Sequence, residues 1–255
     1  MEVCLGPYEG SIILGRKELL ETIKNAGYDG VSIQMGEMFG GRFIQDFDRN
    51  DWKDLRSKLR DLGLRTPTML SRPHWPIVHP GYKELSRDLL KLYIECAVFF
   101  GADQINIWPE QPKDIEQEEG IETMRENLLK VLPEAKAANV HFSLEWEDSA
   151  VIKKYEDMLK FVEETDPELT ICFDTMHLRE GVDIGLAVRE IGDKIGMVHF
   201  SDSERLLPGK GKVDFAAFMK AIKEINYNGS LDVVFNCSNR EEIAEAREFI
   251  KGFGV

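Results

Sequence analysis

Acidic and histidine side chains stand near the ends of four apolar segments in the second half of the chain. The segments are residues 144–147, 173–177, 198–202 and 231–236. The first three supply Glu145, Asp174 and His199, whose oxygen and nitrogen atoms are donors that Mg, Mn, Co and Zn accept. The residue types and their placement therefore predict one divalent metal site built from residues that are distant in sequence.

Apolar runs typical of β-strands recur along the whole chain and must position these side chains. Eight such runs cover residues 3–6, 30–35, 65–70, 104–108, 140–146, 169–175, 196–201 and 230–236. Amphipathic segments typical of helices lie between and after them, at residues 16–26, 52–62, 82–100, 120–138, 149–164, 184–191, 214–225 and 239–253. Eight β-then-α units without a Pro/Ser-rich linker predict a single (β/α)8 TIM barrel over residues 1–255. An open, doubly wound sheet is the alternative fold.

The overall charge restricts the classes of partner. Asp and Glu number 46 against 32 Lys and Arg, giving a formal net charge of −14. Such a surface repels nucleic acid and anionic lipid, so we expect neither as a partner. The N-terminus lacks a basic region followed by an apolar stretch, and no run approaches the roughly 20 apolar residues of a membrane span. We expect a soluble, cytoplasmic protein whose four separated cysteines are buried free thiols.

The carboxyl ends of barrel strands share one face of the fold, where active sites of such barrels lie. Glu145, Asp174 and His199 end the fifth, sixth and seventh runs and would meet over this mouth. Each residue alone has a plainer explanation, because a buried acid often caps a loop and a histidine is often structural. Three on successive strands favour a shared site.

Three motifs carry a resemblance to a known family. Asp174 precedes His177 by three residues, His199 precedes Asp202 by three, and residues 209–214 follow the pattern Gly-x-Gly-x-x-Asp. This order resembles the xylose isomerase-like barrel superfamily, which includes tagatose 3-epimerase, hydroxypyruvate isomerase, inosose dehydratase and apurinic endonucleases. The similarity covers the whole chain loosely and residues 141–236 closely.

The resemblance implies roles for individual residues. Glu145, Asp174 and His199 would bind the metal, while His177 would contact substrate oxygens near it. Arg205 matches an arginine that the epimerases place on a substrate hydroxyl or carbonyl. The glycine turn of residues 209–214 is expected to be structural, since its glycines and a helix start at Asp214 explain it.

The eighth run departs from the family pattern. Family members usually carry a metal-binding glutamate at the position of Val234. Asp232 and Asn236 share the face of Val234 in an extended strand, and either is a candidate substitute. Asn236 is favoured as the fourth ligand because it is nearer the open end, whereas Asp232 suits a charge paired inside the barrel. Weak metal binding, or none, stays open.

The missing glutamate also restricts the chemistry. Moving a proton next to a carbonyl requires a base and a metal that stabilises the enediolate oxygens. In the epimerases, two glutamates serve the two faces of the substrate. We expect Glu145, or as a second choice Glu147, to be the sole carboxylate base here. One base suffices for isomerisation or elimination of water but not for the usual inversion.

Several side chains near the mouth are candidate substrate contacts. Trp108 and Trp146 end two runs and could stack on a sugar ring, although packing explains them equally well. His74, just after the third run, suits a contact to a substrate hydroxyl or a bond within its loop. Gln34 and Glu37 are similar candidates.

Three functions follow from these observations. The leading prediction is a metal-dependent sugar or polyol isomerase, epimerase or dehydratase. Val234 motivates a second, a catalytically impaired barrel that binds a sugar-like ligand or serves as an enzyme subunit. An apurinic endonuclease is disfavoured by the acidic balance and the five histidines, since DNA binding relies on Lys and Arg. The substrate stays unidentified and a homo-oligomer is open.

Overall fold

The computed structural model describes residues 1–6, 16–34, 44, 48–71 and 75–255. Nine strands are present in this part of the chain: β1 (Glu2–Leu5), β2 (Gly30–Val31), β3 (Ile33–Gln34), β4 (Thr68–Leu70), β5 (Gln104–Ile107), β6 (His141–Glu145), β7 (Thr170–Asp174), β8 (Ile195–Phe200) and β9 (Ser230–Val233). All neighbouring strands pair in parallel.

The sheet closes into a barrel. Its strand order is β2-β1-β9-β8-β7-β6-β5-β4-β3. The two terminal members, β2 and β3, are separated only by Ser32, so they are two parts of one barrel strand. The predicted (β/α)8 barrel is therefore confirmed, and each of the eight predicted runs contains a strand.

Helices follow the strands around the outside of the barrel. Those within the described residues are α1 (Arg16–Asn25), α2 (Arg49–Leu62), α3 (Lys83–Phe100), α4 (Gln117–Ala137), α5 (Tyr155–Thr165), α6 (Ile184–Ile191), α7 (Phe215–Glu224) and α8 (Arg240–Lys251). Their ends follow local chemistry: α2 begins with a capping box between Asp48 and Asp51 and ends at Gly63, whose φ of 64° suits glycine. None of the described helices is long and apolar enough to cross a membrane.

The start of α5 corrects one predicted boundary. The sequence predicts a helix from residue 149, but the helix begins at Tyr155. Ala150 instead forms a bridge to Glu110, and the Val151 N–H donates to the Pro109 carbonyl at 2.9 Å. The apolar side chains of residues 150–152 are buried there, so their burial reflects an extended segment packed on the preceding loop.

An aromatic layer connects the site-bearing strands to the helices outside them. The rings of Phe200 and Phe215 stack with centroids 4.1 Å apart, and Phe173 lies 5.6 Å from Phe218. Trp146 meets Phe173 edge-on at 5.3 Å. Such rings bury large apolar areas, which holds the carboxyl ends of β6, β7 and β8 in fixed positions.

Candidate metal and active site

Three adjacent strands deliver the predicted ligands to the carboxyl-terminal mouth of the barrel. Glu145 is the last residue of β6, Asp174 is the last residue of β7, and His199 is the penultimate residue of β8. Asp174 and His199 are direct neighbours in the strand register. All three are at most 5% exposed, so their charges and ring nitrogens must be satisfied by one another or by a bound group.

The ligand atoms converge. Nδ1 of His199 lies 3.5 Å from Oε1 of Glu145 and 3.5 Å from Oδ2 of Asp174. Nε2 of His177 lies 3.1 Å from the same Glu145 oxygen and 3.5 Å from Oδ2 of Asp174. The structure thus brings together the four residues predicted as metal ligands or catalytic groups on these strands.

A short turn after β7 places His177 in the cluster. Residues Thr175–His177 form a single 3-10 turn, and Oδ1 of Asp174 accepts a hydrogen bond from the Met176 N–H at 2.9 Å. One oxygen of Asp174 therefore fixes the turn while the other faces the cluster.

The cluster balances its charges internally. Burial alone would raise the pKa of Glu145, but His199 and His177 outweigh it and hold that pKa well below its usual value. Burial likewise opposes the ionised form of Asp174, yet Arg205 and His177 lower its pKa. Conversely, burial would lower the pKa of His177 and His199, while the nearby acidic groups raise both. The two histidine rings and the Arg205 guanidinium therefore lie where they stabilise the ionised carboxylates.

Arg205 enters the site from the loop after β8. Its Nη1 lies 2.8 Å from Oδ2 of Asp174 and also donates to the Ser201 hydroxyl. The backbone of Glu204 and Arg205 adopts positive φ values of 57° and 55°, a conformation that costs free energy for these residue types. Surrounding interactions must therefore hold this turn.

Asp202 provides that support. Its buried carboxylate accepts hydrogen bonds from the backbone N–H groups of Ser203, Gly209, Gly211 and Val213, at 2.8 to 3.2 Å. At Gly211, a Cβ atom would come within 2.2 Å of Oδ1 of Asp202. The glycine turn therefore wraps around an acid, and Asp214 caps α7 by accepting from the Ala217 N–H at 2.9 Å.

Removing the Asp202 carboxylate should destabilise the protein. We expect Asp202→Ala to lower the free energy of unfolding by about 3 kcal/mol, since four backbone N–H groups lose one buried, charged acceptor. The matched control is Asp214→Ala in the same loop, which loses a single capping bond and should cost about 1 kcal/mol. Urea denaturation measures both, and an Asp202→Ala cost no larger than that of Asp214→Ala would contradict this role.

A cavity of about 90 Å³ opens beside the cluster. The residues lining it are Gln34, Leu70, Asn106, Trp108, Glu145, Glu147, Met176, His177, His199, Arg205 and Val234. Nδ2 of Asn106 donates to Oε2 of Glu145 at 2.9 Å, and Oε1 of Gln34 is buried without a hydrogen bond to any described residue. The cavity therefore joins the charged cluster to polar groups suited to hydroxyl recognition.

The residues fit a divalent cation. Both ring nitrogens of His199 are buried, and neither forms a hydrogen bond within the described part of the chain. Nδ1 faces two carboxylate oxygens at equal distance, an arrangement that a cation would complete. Two groups of potential ligands share Glu145: one adds Asp174 and His177, the other adds Cys172 and His199.

The remaining predicted contacts are not all beside the cluster. Trp108 lines the cavity, whereas Trp146 is 1% exposed, does not line the cavity and donates from Nε1 to the His177 carbonyl at 3.3 Å. Asn236 is exposed and does not line the cavity. His74 and Glu37 lie outside the described residues.

The end of β9 explains the position of Asn236. The strand ends at Val233, three residues earlier than predicted. Beyond it, the Val234 N–H donates to the Phe200 carbonyl at 3.2 Å and the Asn236 N–H donates to the Arg205 carbonyl at 2.8 Å. Asn236 therefore braces the turn that carries Arg205, while Val234 occupies the cavity wall. Asp232 is buried lower in the barrel, where Thr68 and Ser230 donate to its carboxylate.

Two site residues went unrecognised in the sequence. Asn106 lies on β5 and Trp108 directly follows that strand, so period-2 alternation puts both on the same face and could have revealed Asn106. Cys172, two residues before Asp174, likewise faces inward beside Glu145 and His199. Burial raises the pKa of the Cys172 thiol to about 12, and all four cysteines are buried and free as predicted.

The fold and the site together define a class of protein. It is a parallel α/β barrel with a buried cluster of carboxylate and histidine side chains at its carboxyl-terminal mouth. The sequence matches the family described as xylose isomerase-like TIM barrel over residues 20–253. The chain belongs to that family.

Two similar proteins carry the names of sugar epimerases. The chain is 30% identical over 174 residues to D-psicose 3-epimerase of Ruminiclostridium cellulolyticum, covering 64% of this chain and 57% of that protein. It is 37% identical over 109 residues to L-ribulose 3-epimerase of Mesorhizobium japonicum, covering 41% and 37% respectively. These matches thus span roughly a third to three fifths of the relatives' lengths.

Solved structures share the fold across the whole chain. D-allulose 3-epimerase from Methylomonas sp., in complex with D-allulose, superposes with a TM-score of 0.82 at 20% identity, covering 99% of this chain and 96% of that one. The 3-keto-D-glucoside 4-epimerase of E. coli gives 0.82 at 18% identity, with 100% and 99% covered. At these identities the likeness establishes the fold.

Proposed function

We propose that this protein is a divalent-metal-dependent enzyme acting on a ketose or related polyol by proton transfer next to a carbonyl. The observation that carries the proposal is the convergence of Glu145, Asp174, His177 and His199 beside one cavity. The family membership and the epimerase relatives support the same reaction class.

Glu145, Asp174 and His199 would hold the cation. When bound, a divalent ion polarises the substrate carbonyl and makes the neighbouring C–H bond more acidic. Glu145 is the proposed base for that proton, and Asn106 orients its carboxylate from the cavity side. His177 and Arg205 would donate hydrogen bonds to substrate oxygens, and Gln34 would contact a hydroxyl.

The titratable groups occupy one side of the cavity. Among the described residues that line it, every acidic or basic side chain comes from β6, β7, β8 or the loops after them. Gln34, Leu70 and Val234 form other parts of the wall and cannot remove a proton from carbon. This asymmetry supports return of the proton on the face from which it was taken, as in isomerisation, or loss of water.

Deuterium exchange tests the reaction. The protein loaded with Mn²⁺ is incubated in D2O with D-psicose, D-fructose, D-tagatose and L-ribulose, and NMR follows label at each carbon and the stereochemistry of the product. We expect Glu145→Gln to lower the exchange rate by about 10² to 10⁴-fold, the usual contribution of a general base.

Glu147→Gln is the matched control. Glu147 lines the same cavity two residues further on, 3.8 Å from Nε2 of His177. The Glu147→Gln variant should retain an exchange rate within about tenfold of wild type, because general base catalysis requires a base positioned at the proton that is removed. Loss with Glu147→Gln and not with Glu145→Gln would assign the base to Glu147 and contradict the proposal.

Val234 favours a second candidate function. A barrel that binds a sugar-like ligand without turnover, or that serves as an enzyme subunit, would tolerate a neutral side chain at this position in the cavity wall. Binding of a ketose without any deuterium incorporation, at saturating metal, would support this alternative over the enzyme.

A further inference from the structure

A second and larger cavity borders the cluster of carboxylate and histidine side chains. It measures about 630 Å³ and lies between the loop after β7, residues 175–183, and the loop after β8, residues 201–214. We call it the outer groove. Neither the proton-transfer chemistry nor the metal site uses it.

The outer groove borders the catalytic cavity at one residue. Met176 lines both cavities. Its backbone N–H is fixed by Asp174, and the next residue, His177, contacts Glu145. A substrate whose reacting carbons lie at the cluster could therefore extend past Met176 into the groove.

The floor of the outer groove is aliphatic. Leu178, Val182, Val213 and Ala217 contribute to its lining, and 37% of the Val182 surface is exposed. Such a surface suits the C–H face of a ring or chain.

The polar rim of the groove lacks a dominant charge. Its lining carries charges of both signs: Arg179, which is paired with Asp148 at 3.2 Å, and Lys212 are basic, and Glu180, Asp183 and Asp214 are acidic. The carboxylates of Asp183 and Asp214 accept capping hydrogen bonds from Leu186 and Ala217. The rim therefore favours a neutral group that carries hydroxyls over a phosphate or another anion.

The relative sizes of the cavities fit a two-part substrate. The catalytic cavity of about 90 Å³ is a small fraction of the groove's 630 Å³. We propose that the outer groove binds a glycosyl substituent, so that the preferred substrate is a glycosylated ketose or keto sugar and not a free monosaccharide. This inference rests on the proposed function for the reacting half of the substrate.

Substitutions that fill the groove test the proposal. Isothermal titration calorimetry with the Mn²⁺-loaded protein compares maltulose, a ketose carrying a glucosyl group, with D-fructose. We expect wild type to bind maltulose at least tenfold more tightly. Ala217→Trp should bring the ratio of the two dissociation constants close to one, because the indole occupies the space of the glucosyl ring.

Ala216→Trp is the matched control. Ala216 is exposed on the same helix and does not line the groove, so the preference for maltulose should persist. Lys212→Trp, which narrows the groove from an exposed position, should reproduce the loss if Ala217→Trp fails to fold.

The outcomes separate this inference from the reaction. Equal affinities of wild type for the two sugars, or binding of neither, would overturn the glycosyl assignment. Turnover of both sugars with equal kcat/KM would do so while leaving the enzyme intact. Groove-dependent binding of maltulose without turnover would instead contradict the reaction and keep the groove. A change in molar mass by light scattering with Ala217→Trp, in place of a change in sugar preference, would show that a second copy of the chain covers the groove and would overturn the proposal.

Discussion

Alanine at position 199 is expected to weaken binding of a divalent cation by roughly 100-fold or more. Substitution of a residue that hydrogen-bonds to a metal ligand typically costs 10 to 100-fold in metal affinity, and loss of a direct ligand should cost at least as much. Nδ1 of His199 faces oxygens of both Glu145 and Asp174, and neither ring nitrogen has a hydrogen bond within the described residues. His199→Ala would remove the one neutral donor from that set and leave the carboxylates to bind alone.

Metal content by inductively coupled plasma mass spectrometry, on protein purified without chelator or nickel, gives the first comparison. Titration of the metal-free protein with Mn²⁺ gives the affinities. His141→Ala serves as the control, because His141 lies at the opposite end of the barrel, 3.6 Å from Glu168. Unchanged Mn²⁺ affinity in His199→Ala would refute the metal site.

His177→Ala separates the two possible ligand sets. His177 also approaches Glu145 and Asp174, so its loss would match that of His199→Ala if it is a ligand. We expect a smaller loss, since the family resemblance implies that His177 contacts substrate. A larger loss than that of His199→Ala would exchange the roles of the two rings.

The barrel was predictable because each unit carries its own periodic signal. Apolar runs and amphipathic segments alternate eight times and several helices end at a glycine, and parallel strands of this kind need helices on the outside. The missed boundary at residue 149 shows the limit of this reasoning. The apolar residues 150–152 pack against the loop at residues 109–111, a contact that joins parts of the chain 40 residues apart.

The convergence of the three predicted metal ligands was predictable from the topology of the barrel. The carboxyl ends of consecutive parallel strands share one mouth, so Glu145, Asp174 and His199 had to lie near one another. Trp146 could have been excluded by the same logic. Since Glu145 faces the barrel interior, the next residue faces the surrounding helices, where Trp146 packs on Phe173.

The position of Asn236 could not be predicted from the local sequence. Its placement on the face of Val234 assumed that the strand continues to residue 236. Hydrogen bonds from residues 234 and 236 to the Phe200 and Arg205 carbonyls redirect the chain after Val233. The turn at Arg205 depends in turn on Asp202, so the position of Asn236 follows from a tertiary network and not from strand periodicity.

Glutamate at position 234 is expected to strengthen Mn²⁺ binding by about 10 to 100-fold, the converse of a typical loss on removing a supporting group. Val234 is 2% exposed and lines the cavity from β9's end, three barrel strands away from Glu145. A carboxylate there would add a ligand and place a second base on a different wall. The variant should therefore gain inversion at the carbon next to the carbonyl, seen as formation of the epimeric ketose.

Val234→Gln is the control that separates charge from shape. It has nearly the same size as glutamate but is a weak ligand and no base, so neither metal affinity nor epimer formation should rise. Without metal, Val234→Glu should lower the midpoint of thermal unfolding, because it buries a carboxylate that has no cation to pair with, and Mn²⁺ should restore it. Equal metal affinities in the glutamate and glutamine variants would mean that the wall at Val234 does not face the cation. The loss of a fourth metal ligand at position 234 would then not explain why the acidic and basic groups occupy one side of the cavity.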